Sequence, residues 1–308
     1  MPVCVHCAQP VSALLAKFGS GHVALVRCGQ HGETRGCGRR ADPYLEYGPT
    51  IVLIDLLLAK PRVYRHLLYN RHVWHVTEGT AAPPAAVHAR RFLAYVLAES
   101  YLRWFFTCVH PARTAGRSTA PGTGGLVPAP LGEGAVVFAA TLAETLALHT
   151  TVSLVGTAVQ WAWHRTHRRP SYWPLFSVYL PSVALLFSNI STVLLLALVL
   201  LWNSRTGAVH RPVEHSTAVP LAWLHEREGV RWLAPLAEAL QEWDVVWLIR
   251  HGIGGFSAGM SLGAVALPIH PAAGVAVLCL GSLAQSAVGG WFVHCMGPGV
   301  SAYCQVSA

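Results

Sequence analysis

The residues best suited to chemistry lie at the start of the chain. Cys4 and Cys7 are two residues apart; after a further 20 residues come Cys28 and Cys37, with eight between them. Four soft ligands of this kind suit one tetrahedral zinc ion. A two-residue gap lets one tight knuckle present both thiolates of the first pair. The second gap is longer than a standard knuckle. Residues 29–36, Gly-Gln-His-Gly-Glu-Thr-Arg-Gly, read as a flexible insertion, whose closure costs little entropy. His31 is a rival, because Cys28-x-x-His31 has standard spacing. The spacing therefore predicts one structural zinc ion on Cys4, Cys7, Cys28 and Cys37. The alternatives are His31 in place of Cys37, or four small buried thiols and no metal. His6 and His22 read as solvated.

No secretory signal is read before Cys4, so the cysteine segment is expected in the cytosol, where thiols stay reduced and clustered cysteines usually mean metal. Cys108, Cys279, Cys295 and Cys304 lack metal spacing. Cys295 and Cys304 would be able to pair if lumenal, though two unlinked thiols are the plainer reading.

What must position this head is a membrane. The chain has 308 residues, 53% hydrophobic and 12% charged, against about 25% charged in ordinary soluble domains. That balance excludes a soluble globular protein and a disordered chain. No Asp, Glu, Lys or Arg follows Arg250, and none lies between Arg169 and Arg205. Both stretches exceed the roughly 20 apolar residues that a bilayer span needs. The predicted fold is mainly α: a polytopic helical membrane protein with a small N-terminal zinc-ribbon-like head. Residues 1–47 form the head, 48–75 an interfacial amphipathic helix, and 76–308 the transmembrane domain. Spans are expected near 92–109, 135–163, 175–202, 245–267 and 272–294. With the head in the cytosol, a crossing at 92–109 returns Arg165, Arg168 and Arg169 to the cytosol, as the positive-inside rule prefers. That gives five spans and a lumenal C-terminus, although Arg113 and Arg117 fall on the less favoured side.

Residues 1–91 carry 11 Lys and Arg against 5 Asp and Glu. Because this basic segment leads directly into spans, it reads as a flank attracted to anionic lipid rather than to nucleic acid. In 48–75, the apolar run Ile51–Leu58 precedes Arg62, Tyr64, Arg65, Tyr69, Arg71 and Trp74, residues suited to headgroup depth. A buried helix of the head is the other reading. Asp55, costly inside an apolar run, either snorkels or pairs with a basic neighbour such as Arg62. Tyr64, Arg65, His66 and Asn70 fall within two helical turns, either as a solvated interfacial face or as headgroup contacts.

Further along, Glu99 and Arg103 have the spacing and order of a favourable helical pair. Glu144 and His149 are five apart, about 140° around a helix, so they do not form a proton-relay dyad; Glu144 lines the bundle interior. Gly255, Gly259 and Gly263 make a small-residue stripe for close helix packing, and Gln160, Asn189 and Gln285 can tie helices by hydrogen bonds.

Several of these segments together resemble one family. Cys4-Val-His-Cys7, then Asp42-Pro-Tyr44-Leu-Glu46-Tyr, then Ile54-Asp55-Leu-Leu-Leu-Ala-Lys60-Pro61-Arg-Val-Tyr64-Arg65-His66-Leu67-Leu68-Tyr-Asn70 are similar to the Arv family of endoplasmic-reticulum sterol-homeostasis proteins. Ser188 to Trp202 looks like the family's later span, with Thr192 where a Lys is expected. The match is dense over residues 4–70 and thin elsewhere. The resemblance implies an endoplasmic-reticulum membrane protein that acts in sterol transport and lipid homeostasis, in sphingolipid balance and in glycosylphosphatidylinositol (GPI) anchor biosynthesis. It implies sterols, anionic headgroups and lipid or GPI biosynthetic enzymes as partners, and no catalytic role.

Catalytic templates fail. There is no Gly-x-Ser-x-Gly elbow, no phosphate loop and no His-Glu-x-x-His. The remaining alternatives are an intramembrane lipid-modifying enzyme using Glu144, His149 or His164, and a zinc-headed adaptor.

Overall fold

The computed structural model describes residues 2–18, 22–29, 36–70, 84–106, 129–167, 178–206, 246, 248–265 and 271–296. Among them lie one two-stranded sheet and seven α-helices. In the head, β1 (Leu15–Phe18) pairs antiparallel with β2 (His22–Leu25), Leu15 opposite Leu25. Two isolated bridges, Val3 with Pro10 and Arg27 with Arg40, close the loops that carry the cysteines.

The stretch after the head is two helices, not one. α1 (Pro49–Leu57) starts on a Pro at its first turn, where a missing N–H costs nothing. It stops because Ala59 adopts a left-handed φ of +50° and Pro61 cannot continue a helix. The Lys60 N–H folds back to the Asp55 carbonyl at 3.1 Å. α2 (Pro61–Arg65) restarts on that proline and passes into a π turn, His66–Asn70. The wider π turn brings residues four apart close to one face.

The remaining helices form a bundle: α3 (Pro84–Trp104), α4 (Ala129–His167), α5 (Leu180–Thr206), α6 (Gly254–Val265, after a π turn Leu248–Ile253) and α7 (Pro271–Met296). α7 lies along α4, α6 along α5 and α7, and α3 against α4 and α5. Three stretches are long and apolar enough to cross a membrane: Gly134–Trp163, Leu180–Trp202 and Ala272–Phe292. They match three of the five expected spans. The other two differ in character: α3 carries Arg90, Arg91, Glu99 and Arg103, and α6 has 12 residues after its π turn.

The glycine stripe packs closely at one end: Gly263 backbone N stands 3.0 Å from where a Cβ of Gly274 of α7 would lie, and a Cβ at Gly259 would touch Val275 at 3.8 Å, whereas a Cβ at Gly255 would meet nothing within 4 Å. A tighter approach that the stripe did not include is at Gly281 of α7, where a Cβ would stand 2.5 Å from Val152 Cγ2 and 2.9 Å from Leu148 Cδ1 of α4. Val152, Leu185, Ala258, Leu262 and Val277 fill the middle of the bundle, and Leu102, Leu196 and Ile249 the part farther from the head. The head joins the bundle through a third cluster. Val5, Tyr44, Leu56, Val63, Tyr64, Leu67 and Leu68 pack on Ala184 and Phe187 near the start of α5.

Candidate metal centre and the clamp beneath it

The fold brings together all four cysteines picked out by spacing. Their Sγ atoms lie within 4.8 Å of one another, with Cys4 and Cys37 at 3.7 Å and Cys7 and Cys28 at 3.5 Å. An ion about 2.3 Å from each of four tetrahedral thiolates has S···S edges of about 3.8 Å, so donor set and spacing fit one metal ion. His31 lies outside the described residues.

Each pair has a backbone reason. The Cys4 carbonyl accepts the Ala8 N–H at 2.8 Å, and Ala8 takes φ +64° to turn the chain back. Cys28 and Cys37 sit at the base of a hairpin: Cys28 N–H donates to the Arg39 carbonyl at 2.9 Å, and Gly38 N–H to the Cys28 carbonyl at 3.1 Å. The long second gap is therefore harmless, because the hairpin's two arms, not the length between them, align the thiols. Gly29 is needed there: its φ is +90°, and a Cβ would come 2.9 Å from Gly36 Cα.

Protonated, the four thiols compete. Burial pushes Cys4 well above the ordinary thiol range and Cys28 up to about 11. Burial also raises Cys7, but hydrogen bonds from the Gln9 N–H and the neighbouring thiols outweigh it and bring Cys7 down. Four thiolates in so small a volume need a cation, and binding one displaces the protons. His6, expected in solvent, is half-buried, and burial with Arg62 and Arg39 nearby lowers its pKa. His22 is exposed, as expected.

Directly beneath the knuckle is a polar clamp. Asp42, fully buried, accepts from Tyr44 N–H at 3.1 Å on one oxygen. Its other oxygen accepts from His66 Nδ1 at 2.7 Å and Asn70 Nδ2 at 2.6 Å. Asn70 Oδ1 takes the Val3 N–H at 2.9 Å while Nδ2 also donates to the Val3 carbonyl at 2.9 Å. Arg65 donates to the Val5 carbonyl at 2.8 Å. The expected solvated face over Tyr64, Arg65, His66 and Asn70 is thus corrected. These side chains turn inward because each finds a main-chain or carboxylate partner in the head, or a hydroxyl in the bundle. Tyr64 OH lies 2.6 Å from Ser257 Oγ of α6.

Asp55 does pair with a basic neighbour, but that neighbour is Lys60 and not Arg62: it accepts from Lys60 Nζ at 2.6 Å and from Tyr44 OH at 2.7 Å. Burial raises its pKa, but these two partners outweigh that and hold it below the usual carboxylate range. In the sequence Asp42 stood out only as part of the motif Asp42-Pro-Tyr44-Leu-Glu46-Tyr. The available signal was a His and an Asn four apart, waiting for one acceptor. Opposite this buried set, α1 and the Leu58 that caps it present Ile51, Ile54 and Leu58 outward, 43%, 49% and 61% exposed.

Glu99 and Arg103 do not pair with each other. Glu99 binds Arg250 before α6, and Arg103 binds Glu144 of α4 through two nitrogens, at 2.6 and 3.2 Å. Glu144 lies in the bundle interior, as expected, and makes no bond to His149, whose Nδ1 meets Ser182 Oγ at 2.7 Å. Cys279 and Cys295 are exposed and unlinked; Cys108, Cys304, Arg71 and Trp74 lie outside the described residues, as does the side chain of His164.

Comparison with known proteins comes to one group. A family model described as the Arv1-like family matches residues 3–219. "Protein arv1 homolog" of Dictyostelium discoideum is 34% identical over 105 residues, 33% of this chain and 38% of that protein. "Protein ARV 1" of Arabidopsis thaliana is 35% identical over 103 residues, 32% of this chain and 36% of that protein. "Protein ARV1" of Homo sapiens is 28% identical over 102 residues, 33% of this chain and 31% of that protein. The chain thus matches about a third of the length of these curated relatives. No solved structure matches.

Proposed function

The chain belongs to the Arv1-like family, and from that premise we propose a non-catalytic membrane protein of the endoplasmic reticulum that maintains sterol and lipid homeostasis. In this reading it supports intracellular sterol transport, with sphingolipid balance and GPI-anchor biosynthesis as further outputs. Its partners are sterols, anionic headgroups and lipid or GPI biosynthetic enzymes of the same membrane. The head faces the cytosol with one structural zinc ion on Cys4, Cys7, Cys28 and Cys37. α3 and α6 complete five crossings, with Glu99 of α3 paired to Arg250 before α6 and Arg103 to Glu144 of α4.

The observation that carries this reading is the two-sided use of residues 49–70. One side is locked to the head by Asp42, Arg65, His66 and Asn70 and to the bundle by Tyr64. The other side leaves Ile51, Ile54 and Leu58 exposed beside the first turns of α5, at the end of a membrane-spanning stretch. A helix so placed reaches the headgroup–acyl boundary, where apolar burial holds it. Zinc supplies the folding energy of the knuckle, and the clamp passes that order to α1.

Purification in mild detergent, with lipid analysis and partner identification by mass spectrometry, tests the reading. Recovery of sterol or of lipid-biosynthetic membrane enzymes above a control membrane protein supports it. Recovery of neither, with the chain folded and zinc-loaded, overturns it.

A further inference from the structure

One stripe of α3 faces the bundle. His88, Phe92, Tyr95, Glu99 and Arg103 recur every three or four residues, so they share a helix face over about 22 Å. Its members meet three other helical segments. His88 Nε2 lies 3.1 Å from Ser182 Oγ of α5. The Phe92 and Tyr95 rings contact His149 of α4, with centroids 5.2 and 6.4 Å apart. Glu99 pairs with Arg250, and Arg103 with Glu144. Polar groups inside an apolar bundle are costly, and ionisable ones mark ion and proton pathways.

The end of the stripe nearest the head has the connectivity of a relay. Ser182 Oγ sits between His149 Nδ1, at 2.7 Å, and His88 Nε2, at 3.1 Å. A hydroxyl has one proton, so it donates to one ring and accepts the N–H of the other. With both rings neutral there are two arrangements. In the first, Ser182 donates to His149, whose Nε2 then carries a proton, while His88 Nδ1 keeps a lone pair. In the second, every role is reversed. Both outer nitrogens, His149 Nε2 and His88 Nδ1, are buried and have no hydrogen-bond partner among the described residues. One end therefore always offers a proton and the other always accepts one.

A proton delivered by water to His88 Nδ1 drives the His88 Nε2 proton onto Ser182 and the Ser182 proton onto His149 Nδ1. His149 then passes its Nε2 proton to a second water molecule, and the first arrangement has become the second. Proton count is conserved; return requires the rings to turn or the proton to run back. The charged and titratable neighbours are Arg91, held over the Phe187 ring, and Tyr179 beside His88, with Tyr95 beside His149 and the Glu99–Arg250 and Arg103–Glu144 pairs farther along.

We propose that this stripe is a proton path into the bundle, entered at His88 and relayed by Ser182 and His149. It goes beyond the lipid reading and does not depend on it.

The test is proton uptake by phosphatidylcholine vesicles that contain the full chain and a trapped pH-sensitive dye, driven by a potassium diffusion potential. The wild-type chain should raise uptake above that of protein-free vesicles. H149Q, which keeps a hydrogen-bonding side chain without a titratable nitrogen, and S182A, which removes the bridging hydroxyl, should each lose that increment. L283A, on the exposed face of α7, should keep it. Helix content and thermal unfolding in detergent establish that each variant is folded, and S182A carries the test if H149Q is not. A wild-type rate equal to that of protein-free vesicles overturns the proposal, as do folded H149Q and S182A variants that conduct like wild type.

Discussion

The Asn70 side-chain amide makes two hydrogen bonds to the main chain of Val3, both at 2.9 Å, one residue before the first cysteine. Sixty-seven positions separate the two residues, yet the metal knuckle and the last turn of the π segment form one unit. The head is therefore expected to fold with residues 61–70 and not without them.

Zinc analysis of the purified full chain should give one equivalent. Cys4→Ser, Cys7→Ser and Cys28→Ser should each lose it, because three thiolates bind far more weakly. Structural zinc sites supply on the order of 10–16 kcal/mol, so chelation should unfold the head. His31→Ala separates the two ligand sets: unchanged zinc content supports Cys37, and strong loss supports the histidine.

Asp42→Ala should destabilise docking of the head by about 2–4 kcal/mol. It strands the buried donors of His66, Asn70 and Tyr44, and each hydrogen bond to a charged group is worth roughly 1.5–3 kcal/mol. Limited proteolysis between the head and α3 should accelerate in the variant while the bundle helices stay intact. Equal protection in the two proteins would refute the clamp.

Acid should release α1 through Asp55. Its folded pKa lies below its unfolded value, so its contribution is present above about pH 3.9 and is lost as pH falls through the folded pKa. Lys60→Met removes the main partner that outweighs burial, so the acid midpoint of head unfolding should move to higher pH. An unchanged midpoint would mean that the Lys60–Asp55 pair contributes nothing to folding.

The α4–α7 contact should be sensitive at one glycine and indifferent at another. Gly281→Ala drives a methyl into Val152 and Leu148, an overpacking that costs about 1–3 kcal/mol. Gly255→Ala meets open space and gains helix propensity. Thermal unfolding in detergent should fall for the first and hold for the second.

How far the sequence reached follows from what each signal measures. Cysteine spacing and long uncharged runs are local, so Cys4, Cys7, Cys28, Cys37 and three apolar spans were legible. Pairing partners were not. Glu99 and Arg103 have ideal helical spacing, but a local exposed pair is worth only about 0.3–0.5 kcal/mol. A partner on a neighbouring helix in a low-dielectric interior outbids it. Asp55 chose Lys60 over Arg62 because Ala59 turns left-handed and folds Lys60 back, a backbone event with no glycine to announce it. The inward turn of His66 and Asn70 depended on Asp42, 24 and 28 positions earlier, and such distances leave no trace in periodicity.

Topology gives a further check. A glycosylation acceptor placed in 112–133 should be modified, and one beside Arg168 should not, if α3 crosses with the head in the cytosol. The reverse pattern would leave α3 lying on the membrane.

The central claim is that the metal-ordered head holds α1 at the lipid boundary. Spin labels at Ile51, Ile54 and Leu58 in the full chain, in lipid nanodiscs, measure this directly through collision with oxygen, which concentrates in acyl chains, or with an aqueous relaxant. Oxygen should dominate at all three sites in the zinc-loaded protein, and chelation should shift them toward the aqueous agent. Dominance of the aqueous agent in the zinc-loaded protein would contradict it.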